Sequence, residues 1–199
     1  DGTIADDADL AGKNAYYIHT GSTNYSGWYG SFLACGAPTT VATTTGFLLA
    51  TPFVLSSAKT MDEIVVNVTV AGTAGSVIRV GIYSDNGNCF PGALLLDAGT
   101  VTGDTVAVKT ITINQVMPAG LYWLVYEHNS AASITVSALS ATGGSTPSVM
   151  GYVKSAISSG APNRISATLT YAVLPANFPT TSLSFTNSTI PLILLHASA

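Results

Sequence analysis

The chain has 199 residues, of which 47% are hydrophobic and only 8% are charged, with a formal net charge of -4. Soluble domains usually contain about 25% charged residues, so we expect a surface that is covered by hydroxyl groups or buried against other subunits. The six basic residues are scattered, and we expect no nucleic-acid partner. No apolar run approaches the roughly 20 residues of a membrane span, so we expect no membrane insertion.

The first 14 residues are acidic and polar and contain four of the ten acidic residues. We interpret residues 1–14 as a lead-in to a single domain at residues 15–199, because a chain of this length can build one well-cored domain. The acids outside the lead-in balance the basic residues, so the body of the domain is predicted to be close to neutral.

Residues 15–32 are crowded with aromatic side chains, interleaved with serine, asparagine and glycine. This composition favours short strands and loops over a helix. Exposed rings can stack on sugar faces while asparagine and serine bond to hydroxyl groups. The same rings also suit packing onto the domain or across a subunit interface. The candidate ligand-binding residues are Tyr16, Tyr17, Tyr25, Trp28 and Tyr29.

Alternation of apolar and polar residues predicts regular strands in the middle of the chain. Residues 64–70 and 77–83 show this pattern. Residues 85–88, Asp-Asn-Gly-Asn, tolerate the positive φ angles of a chain reversal, and Pro91-Gly92 makes a second break before a strand that begins at Ala93. Residues 106–113 alternate too, and a change of parity after Val108 predicts a β-bulge.

Residues 121–126 are apolar on both faces, which is typical of a central strand that is covered on both sides, here by the second sheet and by a loop or another subunit. Residues 47–55 form an apolar strand that Pro52 is expected to break. Further strands are predicted at 133–139, 165–171 and 190–196, with loops at 140–148 and 173–188.

About nine to eleven short strands are predicted, and no helical pattern lasts beyond a turn or two. The strands follow one another at fairly regular spacing, with turn residues between them. We therefore predict an all-β fold, an antiparallel two-sheet β-sandwich that is jelly-roll-like and carries long loops.

Sequence motifs for catalysis and for cofactors are missing. The sequence has no Gly-x-Ser-x-Gly elbow, no phosphate-binding glycine loop and no zinc pattern, so we predict a protein that is not an enzyme and that has no metal or cofactor. A glycosidase, which needs paired carboxylates, is the enzyme alternative. Its candidate acids are Asp85, Asp97, Asp104 and Glu127.

Two smaller questions concern residues 85–88 and the cysteines. Residues 85–88 offer clustered oxygen ligands for calcium, but no glutamate follows at the required spacing, and a plain hairpin turn is preferred. Cys35 and Cys89 are the only cysteines. Two buried free thiols are preferred over one disulfide.

Three motifs resemble β-sandwich modules of tailed-bacteriophage tail-fibre and receptor-binding proteins, which also occur in some bacterial extracellular proteins. They are Arg-Val-Gly-Ile-Tyr at residues 79–83, Pro-Gly-Ala-Leu-Leu at 91–95 and Pro-Ala-Gly-Leu-Tyr-Trp at 118–123. The resemblance covers roughly residues 62–126. It suggests that Tyr83 and Trp123 fill the core and that Arg79 satisfies carbonyls or an acid within the sheet.

The resemblance implies a virion component on a tail fibre or tail tip that contacts the host surface, commonly as a homotrimer. Low charge agrees with this, because subunits of such assemblies bury apolar surface against each other. The expected partners are a host surface glycan or receptor and other virion proteins. The alternatives are a secreted, monomeric bacterial carbohydrate-binding module, and a purely structural capsid decoration or baseplate protein.

Overall fold

The computed structural model describes residues 27–31, 38–140, 150 and 162–198, so the lead-in at 1–14 lies outside the described residues. Every regular element in these ranges is a strand. The described residues therefore include no helix that could cross a membrane. The strands are β1 (Trp28–Gly30), β2 (Pro38–Thr43), β3 (Phe47–Leu55), β4 (Lys59–Val70), β5 (Val77–Asp85), β6 (Pro91–Thr102), β7 (Ala107–Met117), β8 (Gly120–His128), β9 (Ile134–Leu139), β10 (Arg164–Thr168), β11 (Leu183–Thr186), β12 (Ile190–Pro191) and β13 (Ile193–Ala197).

Two antiparallel sheets pack against each other, sheet A with seven strands and sheet B with six, which confirms the predicted β-sandwich. Eight strands pair in a simple order: β2 with β9, β3 with β8, β4 with β7, and β5 with β6. They form one long antiparallel ribbon whose successive segments lie alternately in sheet A and sheet B. A ribbon wrapped in this way is a jelly roll.

The remaining strands extend the two sheets. β10 and β11 continue sheet B beyond β3. In sheet A, β4 and β9 pair over only a short stretch. The segment from Ile190 to Ala197 fills the space where they diverge, because β12 pairs with the end of β9 and β13 with the first half of β4. β1 then pairs with β13.

The main core lies between the two sheets and follows the predicted alternation. Every second side chain of β4 and β5 points inwards, as period-2 patterning requires. Six of these side chains are buried: Ile64, Val66, Val68, Ile78, Val80 and Ile82. The predicted strands at 64–70 and 77–83 are therefore confirmed.

β8 is the predicted central strand with both faces covered. It lies between β3 and β5, and its side chains alternate between the main core and a second cluster on the outer face of sheet B, which contains Trp123 and Val125. Residues 171–178, which we call the cover segment, pack Leu174 and Phe178 onto this second cluster. The second cover is thus a loop of the same chain.

β3 runs through Pro52 without a break, so the predicted interruption was wrong. β10 pairs with β3 only from Phe47 to Ala50, whereas β8 pairs with it as far as Leu55. Pro52 therefore lies where one side of β3 has no strand partner among the described residues. At such an edge position the missing N–H of proline is tolerated.

The predicted β-bulge lies at Asp62 rather than after Val108. β7 pairs in regular register from Ala107 to Thr112, and its register against β4 then shifts between Thr112 and Gln115, opposite Asp62. Against β13, Asp62 is the extra residue of β4. The parity change has another cause. Val106 and Val108 are both 63% exposed, so they are apolar residues outside the core.

One strand prediction and one loop prediction also need correction. The strand predicted from Ala93 is the longer β6, and the loop predicted at 173–188 contains most of the cover segment and then β11. β6 pairs with β5 as far as Thr102, and β11 pairs with β10. Backbone hydrogen bonds between Gly92 and Phe178 and between Leu94 and Ala176 join the beginning of β6 to the cover segment.

The turn between β5 and β6 confirms the predicted chain reversal. Asp85 Oδ2 accepts the N–H of Gly87, and Asp85 Oδ1 accepts the indole N–H of Trp123, so both carboxylate oxygens are used within the protein. Cys89 in this turn is exposed and is a free thiol, so its predicted burial was wrong. Cys35 lies outside the described residues.

Candidate functional site

The outer face of sheet A carries the one predicted aromatic residue that is described and does not pack into the core. In the β1–β13 ladder, Trp28 lies opposite His196 and Tyr29 opposite Leu195. Leu195 is fully buried, so Tyr29 faces the main core and packs against it, whereas Trp28 and His196 share the outer face. Their ring centroids are 4.8 Å apart.

The bulge in β4 brings carboxylates to the same place. Met61 and Ile64 are both fully buried, so both residues between them are displaced towards the outer face. His196 Nδ1 lies 2.5 Å from Asp62 Oδ1. Glu63 lies directly opposite His196 in the β4–β13 ladder. The bulge therefore gives the imidazole two acidic neighbours where a regular strand would give one.

Gly27 allows the chain to approach His196 closely. Its φ angle is +87°, and a Cβ atom at this position would lie 2.9 Å from His196 Nε2. The carbonyl of Gly27 accepts the N–H of Ala197 at 2.7 Å, which holds the start of β1 against β13. Only glycine adopts this conformation without strain, so the position of Trp28 depends on it.

We call Trp28, Asp62, Glu63 and His196 the Trp28 patch. The side chains of His196 and Asp62 are 29% and 38% exposed, and Trp28 is half-buried, so part of each side chain is open to a ligand. The patch combines the apolar face of an indole ring with oxygen and nitrogen atoms that bond to hydroxyl groups. This combination suits a neutral, hydroxyl-rich ligand with an apolar face, such as a sugar ring.

The structure describes two of the five predicted aromatic residues, Trp28 and Tyr29. Tyr16, Tyr17 and Tyr25 lie outside the described residues. Trp28 belongs to the patch, and the half-buried Tyr29 packs against the core. Sequence reasoning missed Asp62, Glu63 and His196. The spacing of Met61 and Ile64 was the available signal, because two core residues three apart in a strand indicate a bulge.

A second polar cluster lies on the outer face of sheet B, around Arg79. Arg79 Nη1 lies 2.6 Å from Asp97 Oδ2, and these side chains are 16% and 19% exposed. Asp97 Oδ2 also accepts the N–H of Leu174, and Asp97 Oδ1 accepts that of Gly99. The structure thus gives Arg79 the predicted role of satisfying an acid in the sheet. Through Leu174, the ion pair also holds the cover segment.

Glu127 completes this cluster. It lies opposite Arg79 in the β5–β8 ladder and is 2% exposed. Burial raises the pKa of its carboxyl group to about 7, although the charge of Arg79 and a backbone hydrogen bond from Ala172 act in the opposite direction. Of the four candidate glycosidase acids, only Asp97 and Glu127 meet here. Both bond to backbone groups of the cover segment, which is typical of a structural anchor.

The other two candidate acids lie in turns. Asp85 binds the indole of Trp123, as described above, and Asp104 Oδ2 accepts the N–H of Gly75 at 2.8 Å. Among the residues that the structure describes, no group of three or more histidine, cysteine, aspartate or glutamate side chains could hold a metal ion.

We expect Glu127→Gln to stabilise the protein at pH 8 by about 2 kcal/mol and to change little at pH 5. The pKa of Glu127 is raised in the folded state, so its protonated form favours folding. This contribution is complete below pH 4.5 and is lost as the pH rises through about 7. Glutamine imitates the protonated acid at every pH. Urea unfolding at both pH values measures the difference.

The matched control is Asp104→Asn, which makes the same change from carboxylate to amide in a turn, away from the Arg79 cluster. An equal effect of Glu127→Gln at pH 5 and pH 8 would show that this carboxyl group does not titrate between them.

The geometry thus defines a jelly-roll β-sandwich with an aromatic and acidic patch on one sheet face. No family model and no curated protein matches the sequence. The chain is similar to a chain in "Structure of infectious bursal disease virus Gx strain", with 12% identity and a TM-score of 0.29. That match covers 86% of this chain and 40% of the viral chain. A TM-score this low carries no argument about fold or function.

Proposed function

We propose that this domain is a non-enzymatic recognition module of a phage virion, on the tail fibre or tail tip, and that it binds a glycan of the host surface through the Trp28 patch. The observation that carries the proposal is the Trp28 ring on the outer face of sheet A, beside His196 and its partner Asp62. An aromatic ring flanked by hydrogen-bonding groups on a rigid sheet suits a sugar ring.

The motif resemblance supports the virion setting. Tyr83 and Trp123 are fully buried and Arg79 pairs with Asp97, so the motif residues have the structural roles that the resemblance suggested. The expected partners remain a host glycan and other virion proteins. The homotrimer expected from the resemblance stays a prediction.

We expect Trp28→Ala to weaken glycan binding about tenfold or more, because the variant removes the stacking surface. A glycan array with the purified domain first identifies a ligand, and titration calorimetry with that ligand then gives the change in Kd. Trp28→Phe keeps an aromatic face and should retain most of the affinity.

Phe185→Ala is the matched control, because Phe185 is an aromatic residue that is 51% exposed on sheet B, away from the patch. The Phe185→Ala variant should bind the glycan with the affinity of the wild type. If Trp28→Ala binds as well as Phe185→Ala in a folded protein, the patch is not the binding site. If the array shows no ligand, the purely structural alternative is favoured.

The secreted carbohydrate-binding module remains the second candidate, because the same patch suits it equally well. It differs in assembly, since a solitary module is expected to be a monomer, whereas a virion component is expected to self-associate. The mass of the purified chain in solution therefore separates the two.

A further inference from the structure

β7 offers a long strand edge to other molecules. Its 11 residues pair with β4, and no other described strand pairs with it. One side of the strand thus presents a row of N–H and C=O groups that can pair with another strand.

The other sheet edges are shorter or irregular. β1, β2, β11 and β12 have three, six, four and two residues. β6 is long, but three register shifts interrupt its pairing with β5, and the cover segment binds its first residues. Short, bulged or covered edges do not attract another strand. β7 is longer than β1, β2, β11 and β12, and its pairing with β4 shows a single register shift, between Thr112 and Gln115.

The exposed side chains of β7 contain no charge. Val108 and Val116 are 63% and 62% exposed and lie on the same face as Thr110, Thr112 and Asn114. The one charged residue of the strand, Lys109, donates hydrogen bonds to the hydroxyl groups of Thr102 and Thr105. Charged residues on an edge normally prevent association, and here the only one is engaged within the chain.

The sequence of β7 is self-complementary about Thr112. If two copies run antiparallel with Thr112 opposite Thr112, the residues in each of the remaining pairs are chemically compatible. Valine meets valine, isoleucine meets isoleucine, threonine meets asparagine, and lysine meets glutamine. The pairs are Val108 with Val116, Lys109 with Gln115, Thr110 with Asn114, and Ile111 with Ile113.

We propose that β7 pairs with β7 of a second copy of this chain across a twofold axis at Thr112. A twofold interface requires that residue i meets residue j and that j meets i, which this sequence satisfies without placing like charges opposite each other. The alternation of exposed and half-buried side chains is unbroken from Val108 to Val116, and the one register shift against β4 lies between Thr112 and Gln115. The half-buried Ile111 and Ile113 would become covered in the dimer.

The pairing joins the two seven-stranded sheets into one continuous sheet. In an antiparallel pair the twofold axis is perpendicular to the sheet, so the outer faces of both copies point the same way. Both Trp28 patches would then face one surface and could engage it together, with a gain in avidity. This consequence rests on the proposed function, whereas the dimer itself does not.

Sedimentation velocity of the purified full chain tests the proposal. We expect a dimer of twice the chain mass of 20.3 kDa for the wild type. Thr112→Glu should weaken the dimer about tenfold or more, because it places two negative charges opposite each other on the axis. Glu63 is the β4 partner of Thr112 within the same chain, so the new charge also acts on the monomer, and the fold of this variant has to be checked.

Thr110→Glu is the matched control, because the new charge would face Asn114 of the other copy, and it should remain largely dimeric. Circular dichroism confirms that both variants fold. A monomeric wild type would overturn the proposal, and so would the homotrimer that the resemblance implies, since the two assemblies are mutually exclusive. Equal dimerisation of the two variants would overturn it as well. None of these masses depends on glycan binding, so this test and the Trp28→Ala test can fail separately.

Discussion

Replacing Trp123 with alanine is expected to lower the free energy of unfolding by about 3–5 kcal/mol. Trp123 is fully buried in the second cluster, between sheet B and the cover segment. Removing the indole leaves a large cavity that the surrounding strands cannot fill. It also leaves Asp85 Oδ1 without the indole N–H that it accepts at 3.0 Å. Urea unfolding followed by circular dichroism measures the loss.

Trp123→Phe separates the two contributions. The variant keeps most of the ring volume and loses the hydrogen bond, so we expect a smaller loss of about 1–2 kcal/mol. Leu55→Ala is a reference for the main core, where truncating a buried leucine to alanine lowers the free energy of unfolding by about 2–5 kcal/mol. If Trp123→Ala cost less than 1 kcal/mol, the second cluster would not contribute to stability as described.

Arg79→Met is the second large effect, with an expected loss of about 3 kcal/mol at pH 8. The variant keeps the apolar stem and removes the cation between Asp97 and Glu127. Two carboxylates are then left in a partly buried site without a counter-charge. The loss should be smaller at pH 5, because Glu127, whose pKa is about 7, is then protonated.

The cover segment provides a second measurement for Arg79→Met. Asp97 holds both Arg79 and the N–H of Leu174, so loss of the cation should loosen this segment, and limited proteolysis should cleave it faster. Lys109→Met is the control, because within the described part of the chain Lys109 bonds to two threonine hydroxyl groups on the surface. Equal losses for the two variants would contradict a special role of the Arg79 cluster.

The sandwich could be predicted from the sequence because its signals are local. The alternation in residues 64–70 and 77–83 identified β4 and β5, and the doubly apolar run at 121–126 identified the central strand β8. A period-2 pattern depends only on neighbours along the chain, so pairing need not be known. Pro52 misled the prediction because its tolerance depends on where β10 ends, which is not a local property.

The candidate site could be predicted only in part for the same reason. Trp28 and Tyr29 are adjacent in a three-residue strand, and only the pairing with β13 decides which of them faces the core. Asp62 and His196 are 134 residues apart, so their contact leaves no trace in either segment alone. The resemblance covered residues 62–126, which excludes both Trp28 and His196.

The wrapped ribbon also imposes an order on folding. Its innermost pair, β5 with β6, closes a short loop, since Arg79 and Asp97 are 18 residues apart. β3 and β8 are joined across 73 residues, and β2 and β9 across 91. The entropic cost of closing a loop rises with its length, and each inner pair shortens the free loop left for the next. We therefore expect the ribbon to close from its innermost hairpin outwards, and the segment from Ile190 to Ala197, which pairs with both β4 and β9, to join sheet A after them.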